Sequence, residues 1–152
     1  MTSPHPTERV SAFFKSYLRA FESFNAAAIA DHFAFPCHVT ADSGEIGLTA
    51  VAERGAWIAQ LEKLLAMYRA INVASARIVD LRITTISAQL LLAVVHWDLD
   101  EPAGNWLYSF EAAYTLAGDG DALRITAIAH NEIPRYRECV ARLRARGSAG
   151  NG

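Results

Sequence analysis

Hydrophobic positions near the start of the chain recur at helical spacing. Val10, Phe13, Phe14, Tyr17, Leu18, Phe21 and Phe24 are separated by one helical turn or by single steps, while Arg9, Lys15, Arg19 and Glu22 take the other side. Positions three and four apart share a helix face, so the pattern predicts an amphipathic helix burying an aromatic stripe, with Thr7 after Pro6 as its N-cap. Asn25 interrupts the stripe and can cap a short helix from Ala26 to His32 before Phe35-Pro36 turns the backbone extended. A further helical stripe, Trp57, Ile58, Leu61, Leu64, Leu65 and Tyr68, predicts a helix capped by Thr49 and reaching Ala70, with Glu53, Arg54, Gln60, Glu62, Lys63 and Arg69 in solvent.

Between and after these helices the period changes to two, the signature of strands. Cys37 to Asp42 reads as a strand, Ser43-Gly44 as its turn and Glu45 to Leu48 as a short return. Val73 to Ile86 and Gln89 to Leu99 predict a long hairpin pivoting near Ser87-Ala88. Trp106 to Leu116 puts Trp106, Tyr108, Phe110, Ala112, Tyr114 and Leu116 on one face; a Gly118-Asp119-Gly120 turn leads into Leu123 to Glu132. Pro134 ends that strand, and Arg135 to Arg146 can form a helix or a tail. Helices and strands are segregated along the chain, which indicates an α+β domain: a curved antiparallel sheet wrapped around N-terminal helices.

Bulk composition narrows the reading further. The 152 residues carry 52% apolar and 20% charged side chains, enough for one packed domain, expected over 7–146 with flexible ends at 1–6 and 147–152. A net charge of −2 gives no electrostatic reason to expect nucleic acid or an anionic membrane. No apolar run is long enough to span a bilayer, and Met1 to Pro6 lacks the features of a signal peptide, so a cytoplasmic protein is expected. Cys37 and Cys139 are isolated in sequence and are expected to be buried free thiols. The five arginines between Arg135 and Arg146 read as a solvated end.

The order of several short pieces resembles the nuclear transport factor 2-like superfamily, in its SnoaL-like and ketosteroid-isomerase-like branch. The pieces are Tyr17-Leu18-Arg19-Ala20-Phe21 followed by Asn25, Phe33-Ala34-Phe35-Pro36, Gly47-Leu48-Thr49-Ala50, Val95-His96-Trp97, and Tyr114-Thr115-Leu116 before a Gly/Asp turn and Leu123-Arg124-Ile125. The resemblance implies an α+β cone, or barrel, enclosing an apolar pocket, and a homodimer formed through the outer sheet face. Ketosteroid isomerases of that superfamily use a helix-one tyrosine and two carboxyl groups. Tyr17 matches the first, but the other positions fall at Ala41, one short of Asp42, and at Ala112. Steroid isomerisation by that mechanism is therefore not implied, and an Asp-Arg-Asp set of the limonene-epoxide hydrolase kind has no match.

The same resemblance sets the faces. With Ala112 in the pocket, Trp106, Tyr108, Phe110 and Tyr114 point in, as do Ala93, Val95 and Trp97, and Thr126, Ile128, His130 and Glu132. Leu90, Leu92, Val94, His96 and Asp98 point out, with Leu123, Ile125, Ala127 and Ala129. The candidate catalytic set is then His130 as general base or acid, Glu132 as its support or as an acid–base group itself, and Tyr17 as a hydrogen-bond donor. The competing reading has His130 hydrogen-bonded into the core, Glu132 in solvent and Tyr17 as a core aromatic. Trp57, Trp97, Tyr108, Phe110, Tyr114 and Ile128 are expected to shape a site for a small apolar molecule of polyketide, steroid or terpenoid kind. His96 and Asp98 lie on the opposite face from His130 and Glu132, so no metal site is expected, and no motif calls for a cofactor. Isomerase, cyclase or hydratase chemistry, a non-catalytic binding module and a dimeric accessory protein all remain open.

Overall fold

The computed structural model describes residues 5–119 and 122–150. Helix α1 spans Pro6–Glu22. Its cap is His5 rather than Thr7: the His5 ring accepts the Thr7 backbone N–H at 3.2 Å, and Pro6 takes the first helical position, where a missing N–H is harmless. Asn25 does cap α2, Ala26–Ala30, its Oδ1 accepting the Ala28 N–H at 3.0 Å.

Strand β1, Phe33–Asp42, begins earlier than its alternation suggested, with a register shift across the stretch holding Pro36, a residue with no N–H to give the ladder. Strand β2, Ile46–Val51, pairs with β1 along its whole length, Thr49 opposite Val39. Thr49 is thus a strand residue and not a helix cap, and α3 starts only at Arg54, running to Ala70. The residue three after Thr49 is Ala52, so no capping box supported a helix there. Strands β3 (Ser75–Ser87), β4 (Leu90–Asp100), β5 (Trp106–Ala117) and β6 (Arg124–His130) follow, and α4, Glu132–Gly150, completes the order. Within the ends expected to be flexible, Pro6 opens α1 and α4 runs on to Gly150; residues 1–4 and 151–152 lie outside the described residues, as does Gly120 of the predicted turn. Gly118 is held at φ +140°, where a Cβ would collide with the Ala122 carbonyl, so this turn requires glycine.

The six strands form one curved sheet in the order β2-β1-β6-β5-β4-β3. The expected α+β cone is present, with two corrections. The sheet is mixed, because β1 runs parallel to β6, and it is not closed, because β2 and β3 leave free edges. Helix α1 lays Val10, Phe13, Phe14 and Tyr17 against the inner face, where Phe14 meets Trp97 and Tyr114 edge-on at 6.0 and 5.0 Å between ring centres. Helix α3 adds Trp57, Leu61, Leu65 and Tyr68 from its buried side.

Bulges decide which residues face in. A shift between Leu99 and Asp100 turns Trp106 outward, half exposed, against the expectation of a pocket aromatic. Another between Thr115 and Leu116 brings Leu123 and Ile125 into the core, where an outer apolar patch had been expected. Ala93, Val95, Trp97, Tyr108, Ala112, Tyr114 and Ile128 are buried as the alternation required. Cys37 and Cys139 are both buried free thiols. No helix among the described residues is long and apolar enough to cross a membrane.

Candidate functional site

Helices α1 and α3 stand off the inner face of the sheet and enclose a cavity of about 100 Å³. Its walls are apolar and aromatic: Tyr17 and Phe21 from α1, Trp57, Leu61 and Tyr68 from α3, Trp97, Phe110, Tyr114 and Ile128 from the sheet. Besides the phenols, its ionisable groups are His130, Glu132 and, at the rim, the exposed Glu22.

Glu132 dominates this site. It is the first residue of α4, directly after the strand that carries His130, and only 5% of it is exposed. The Tyr68 hydroxyl donates to its Oε2 at 2.6 Å and the Tyr108 hydroxyl donates to the same atom at 2.9 Å. One carboxylate oxygen thereby ties α3, β5 and the start of α4 together. Burial disfavours the charged form and raises the Glu132 pKa to about 7, even though both tyrosine hydrogen bonds act to lower it. The phenols of Tyr68 and Tyr108 are pushed well up, first by burial and then by the nearby Glu132 charge, so both are donors throughout the physiological range.

His130 is half-buried, and burial lowers its pKa. Its Nδ1 accepts the Glu132 backbone N–H at 3.2 Å. With Nδ1 accepting, the neutral ring carries its proton on Nε2, which makes it a donor rather than a base. Ala41 and Ala112 are both register partners of His130, one from each neighbouring strand. The two positions where the isomerase pattern places acids thus flank the imidazole as alanines, and the buried acid enters from the head of α4 instead.

A family model described as NTF2-like protein (DUF6841) matches residues 7–133. The chain belongs to the NTF2-like family. Solved structures agree with this fold at low identity. An NTF-2 like protein of unknown function from Shewanella oneidensis MR-1 is 13% identical with a TM-score of 0.63, over 84% of this chain and 99% of that one. An NTF2-like protein with a cystatin-like fold from Novosphingobium aromaticivorans is 12% identical, TM-score 0.63, over 82% and 80%. Another from Cytophaga hutchinsonii is 14% identical, TM-score 0.58, over 84% and 98%. Such identities establish the fold alone. No curated protein shows significant sequence similarity to the chain.

Within this NTF2-like cone, the candidate residues do not all take their expected parts. His130, Glu132, Tyr17, Trp57, Trp97, Phe110, Tyr114 and Ile128 line one cavity. Tyr108 lies behind the wall and reaches the site only through its hydroxyl on Glu132. Tyr17 is in the cavity with its ring edge-on to that of Tyr114 at 6.1 Å between centres, and burial pushes its phenol well up. Tyr114 accepts the Trp97 Nε1–H at 2.9 Å, which leaves its own hydroxyl hydrogen to donate. Tyr68, read from sequence as a core stripe residue, is the missed member; a tyrosine at the end of a buried stripe needs a partner for its hydroxyl, and that was its signal. Outside the cone, His96 faces Glu111 at 3.5 Å on the far side of the sheet from Glu132. Trp106 lies there too, its Nε1 donating to Ser109 Oγ at 2.9 Å and the Arg142 guanidinium resting 4.9 Å from its ring centre.

Proposed function

We propose that this NTF2-like protein binds a compact, mostly apolar molecule in the aromatic cavity and moves a proton on it by acid–base chemistry of the isomerase or hydratase kind. Glu132 carries the proton. His130, through Nε2–H, and Tyr114, through its hydroxyl, hold the polar group of the ligand. The single observation that carries this reading is a buried carboxyl group, balanced near neutrality, in the wall of a cavity with donors beside it. A proton carrier works best when its pKa lies near the working pH, and burial brings Glu132 there.

At about 100 Å³ the cavity falls short of the roughly 150 Å³ that benzene fills, so it takes at most a single ring and excludes the fused rings of a steroid. The test is deuterium uptake from heavy water at carbon, followed by NMR over a panel of single-ring ketones, enol ethers and amines. At least one substrate should exchange at a rate rising through pH about 7, as Glu132 ionises, and falling at least about a hundredfold in Glu132→Gln. Exchange unaffected by that substitution would remove the proposal. Binding of the panel without exchange would instead leave a non-catalytic carrier of the same ligand.

We propose also that two copies associate through the outer sheet face. Leu92 is 40% exposed there, beside Val94 on the same strand and its partner-strand neighbours Ala113 and Thr115.

A further inference from the structure

Trp57 lines the cavity from the first turn of α3 and is only 9% exposed, yet its buried Nε1–H makes no hydrogen bond among the described residues. The other indoles of the chain are satisfied: Trp97 donates to the Tyr114 hydroxyl and Trp106 to Ser109 Oγ, each at 2.9 Å. A buried indole N–H ordinarily finds a partner, because a hydrogen bond left unmade costs the full desolvation of the donor. Further donors line the same cavity. His130 accepts at Nδ1 and so carries its hydrogen on Nε2, and the Tyr114 hydroxyl, which accepts from Trp97, has its own hydrogen to give. The acceptor Glu132 Oε2 is already engaged by the hydroxyls of Tyr68 and Tyr108. No lysine or arginine is among the described lining residues, so no fixed cation there balances a negative charge.

We propose that Trp57 is the recognition residue of the cavity and that its ligand is a neutral carbonyl compound: a single small ring whose oxygen accepts the Trp57 Nε1–H. This names the ligand class of the cavity function proposed above and rests on that reading. A carbonyl oxygen has two lone pairs and no hydrogen of its own, so one pair meets Trp57 and the other is open to His130 Nε2–H or the Tyr114 hydroxyl. An ammonium group would bring only further donors. A carboxylate would accept, but it would face the Glu132 charge in a medium that screens poorly, with no cation opposite. A hydrocarbon of the same outline would fill the space and leave the Trp57 N–H unpaired.

Three probes separate these cases: cyclopentanone, methylenecyclopentane, in which a CH₂ group replaces the oxygen, and cyclopentanecarboxylate. Each is titrated into the full chain and followed by NMR at the indole N–H signals, with that of Trp57 assigned through its own backbone. Cyclopentanone should saturate and move the Trp57 N–H proton downfield, the mark of a new hydrogen bond, whereas methylenecyclopentane should bind without that shift. Trp57→Phe, which keeps an aromatic ring in the wall, should weaken cyclopentanone about tenfold and leave methylenecyclopentane no weaker. Cyclopentanecarboxylate should bind more weakly than cyclopentanone. If cyclopentanone binds without the downfield shift, or Trp57→Phe weakens both neutral probes equally, the carbonyl assignment is overturned while the cavity stands as a binding site. Tighter binding of the carboxylate than of the ketone would overturn it in favour of an anion. If none of the three binds, the cavity reading fails and the carbonyl assignment fails with it. The indole shift is read in the unmodified protein and decides the matter even where the variant folds poorly.

Discussion

Glu132→Gln tests the electrostatics of the site without any ligand. The amide has the shape of the protonated carboxyl group and can still accept from Tyr68 and Tyr108, but it does not titrate. In the folded chain the Glu132 pKa stands at about 7 against an ordinary 4.5. A folded-state value above the unfolded one means that the native protein binds more protons between those two values, so stability falls as pH rises through that window. Full ionisation in both states corresponds to about 3 kcal/mol of lost stability, and about 2.5 kcal/mol of it falls between pH about 5 and pH about 8. Urea unfolding of both proteins at several pH values in that range isolates the effect, because every other titrating group cancels in the difference. The variant should match the parent near pH 5 and exceed it progressively, by about 2.5 kcal/mol at pH 8, with a midpoint shift of several degrees on heating. Parallel stability curves for the two proteins would show that Glu132 is ionised throughout, and the acid–base reading of the cavity would fall with that result.

Three further outcomes follow from the packing. Tyr68→Phe removes the 2.6 Å donor to Glu132 and should move its titration upward by about one pH unit, read from the carboxyl carbon by NMR. Phe14→Ala, at a fully buried ring wedged against Trp97 and Tyr114, should cost about 3–5 kcal/mol in urea unfolding; a loss below about 1 kcal/mol would mean that α1 is not seated on the sheet as described. Leu92→Asp should leave the monomer folded and shift the light-scattering mass from dimer to monomer, and an unchanged dimer would place the contact elsewhere.

The parts legible in the sequence were those written in local spacing. Phe13, Phe14 and Tyr17 announce the buried face of α1, and Asn25 announces the cap of α2, because a helix face and a cap depend on residues a turn apart. Pairings set far along the chain were not legible. The parallel contact of β1 with β6 left no periodic trace, and neither did the Tyr68 hydroxyl meeting Glu132 from 64 residues away. Bulges account for the remaining misplacements: each inserts a residue that reverses the alternation beyond it, which sent Trp106 out and drew Ile125 in. The cavity wall was foreseen as a set of residues, with His130 and Glu132 both in it. What spacing could not show is that the Glu132 backbone N–H occupies His130 Nδ1 and that burial lifts the Glu132 carboxyl towards neutrality, because both depend on how the chain turns from β6 into α4.

The double hydrogen bond on Glu132 Oε2 has a mechanical side. Tyr68 belongs to α3 and Tyr108 to the sheet, so the carboxylate acts as a latch between them, and α3 cannot tilt away without unfastening it. An ionised latch grips both phenols more firmly than a protonated one. Parting Tyr68 from Tyr108 therefore means giving up a shared acceptor, and the two walls are fastened through a single atom.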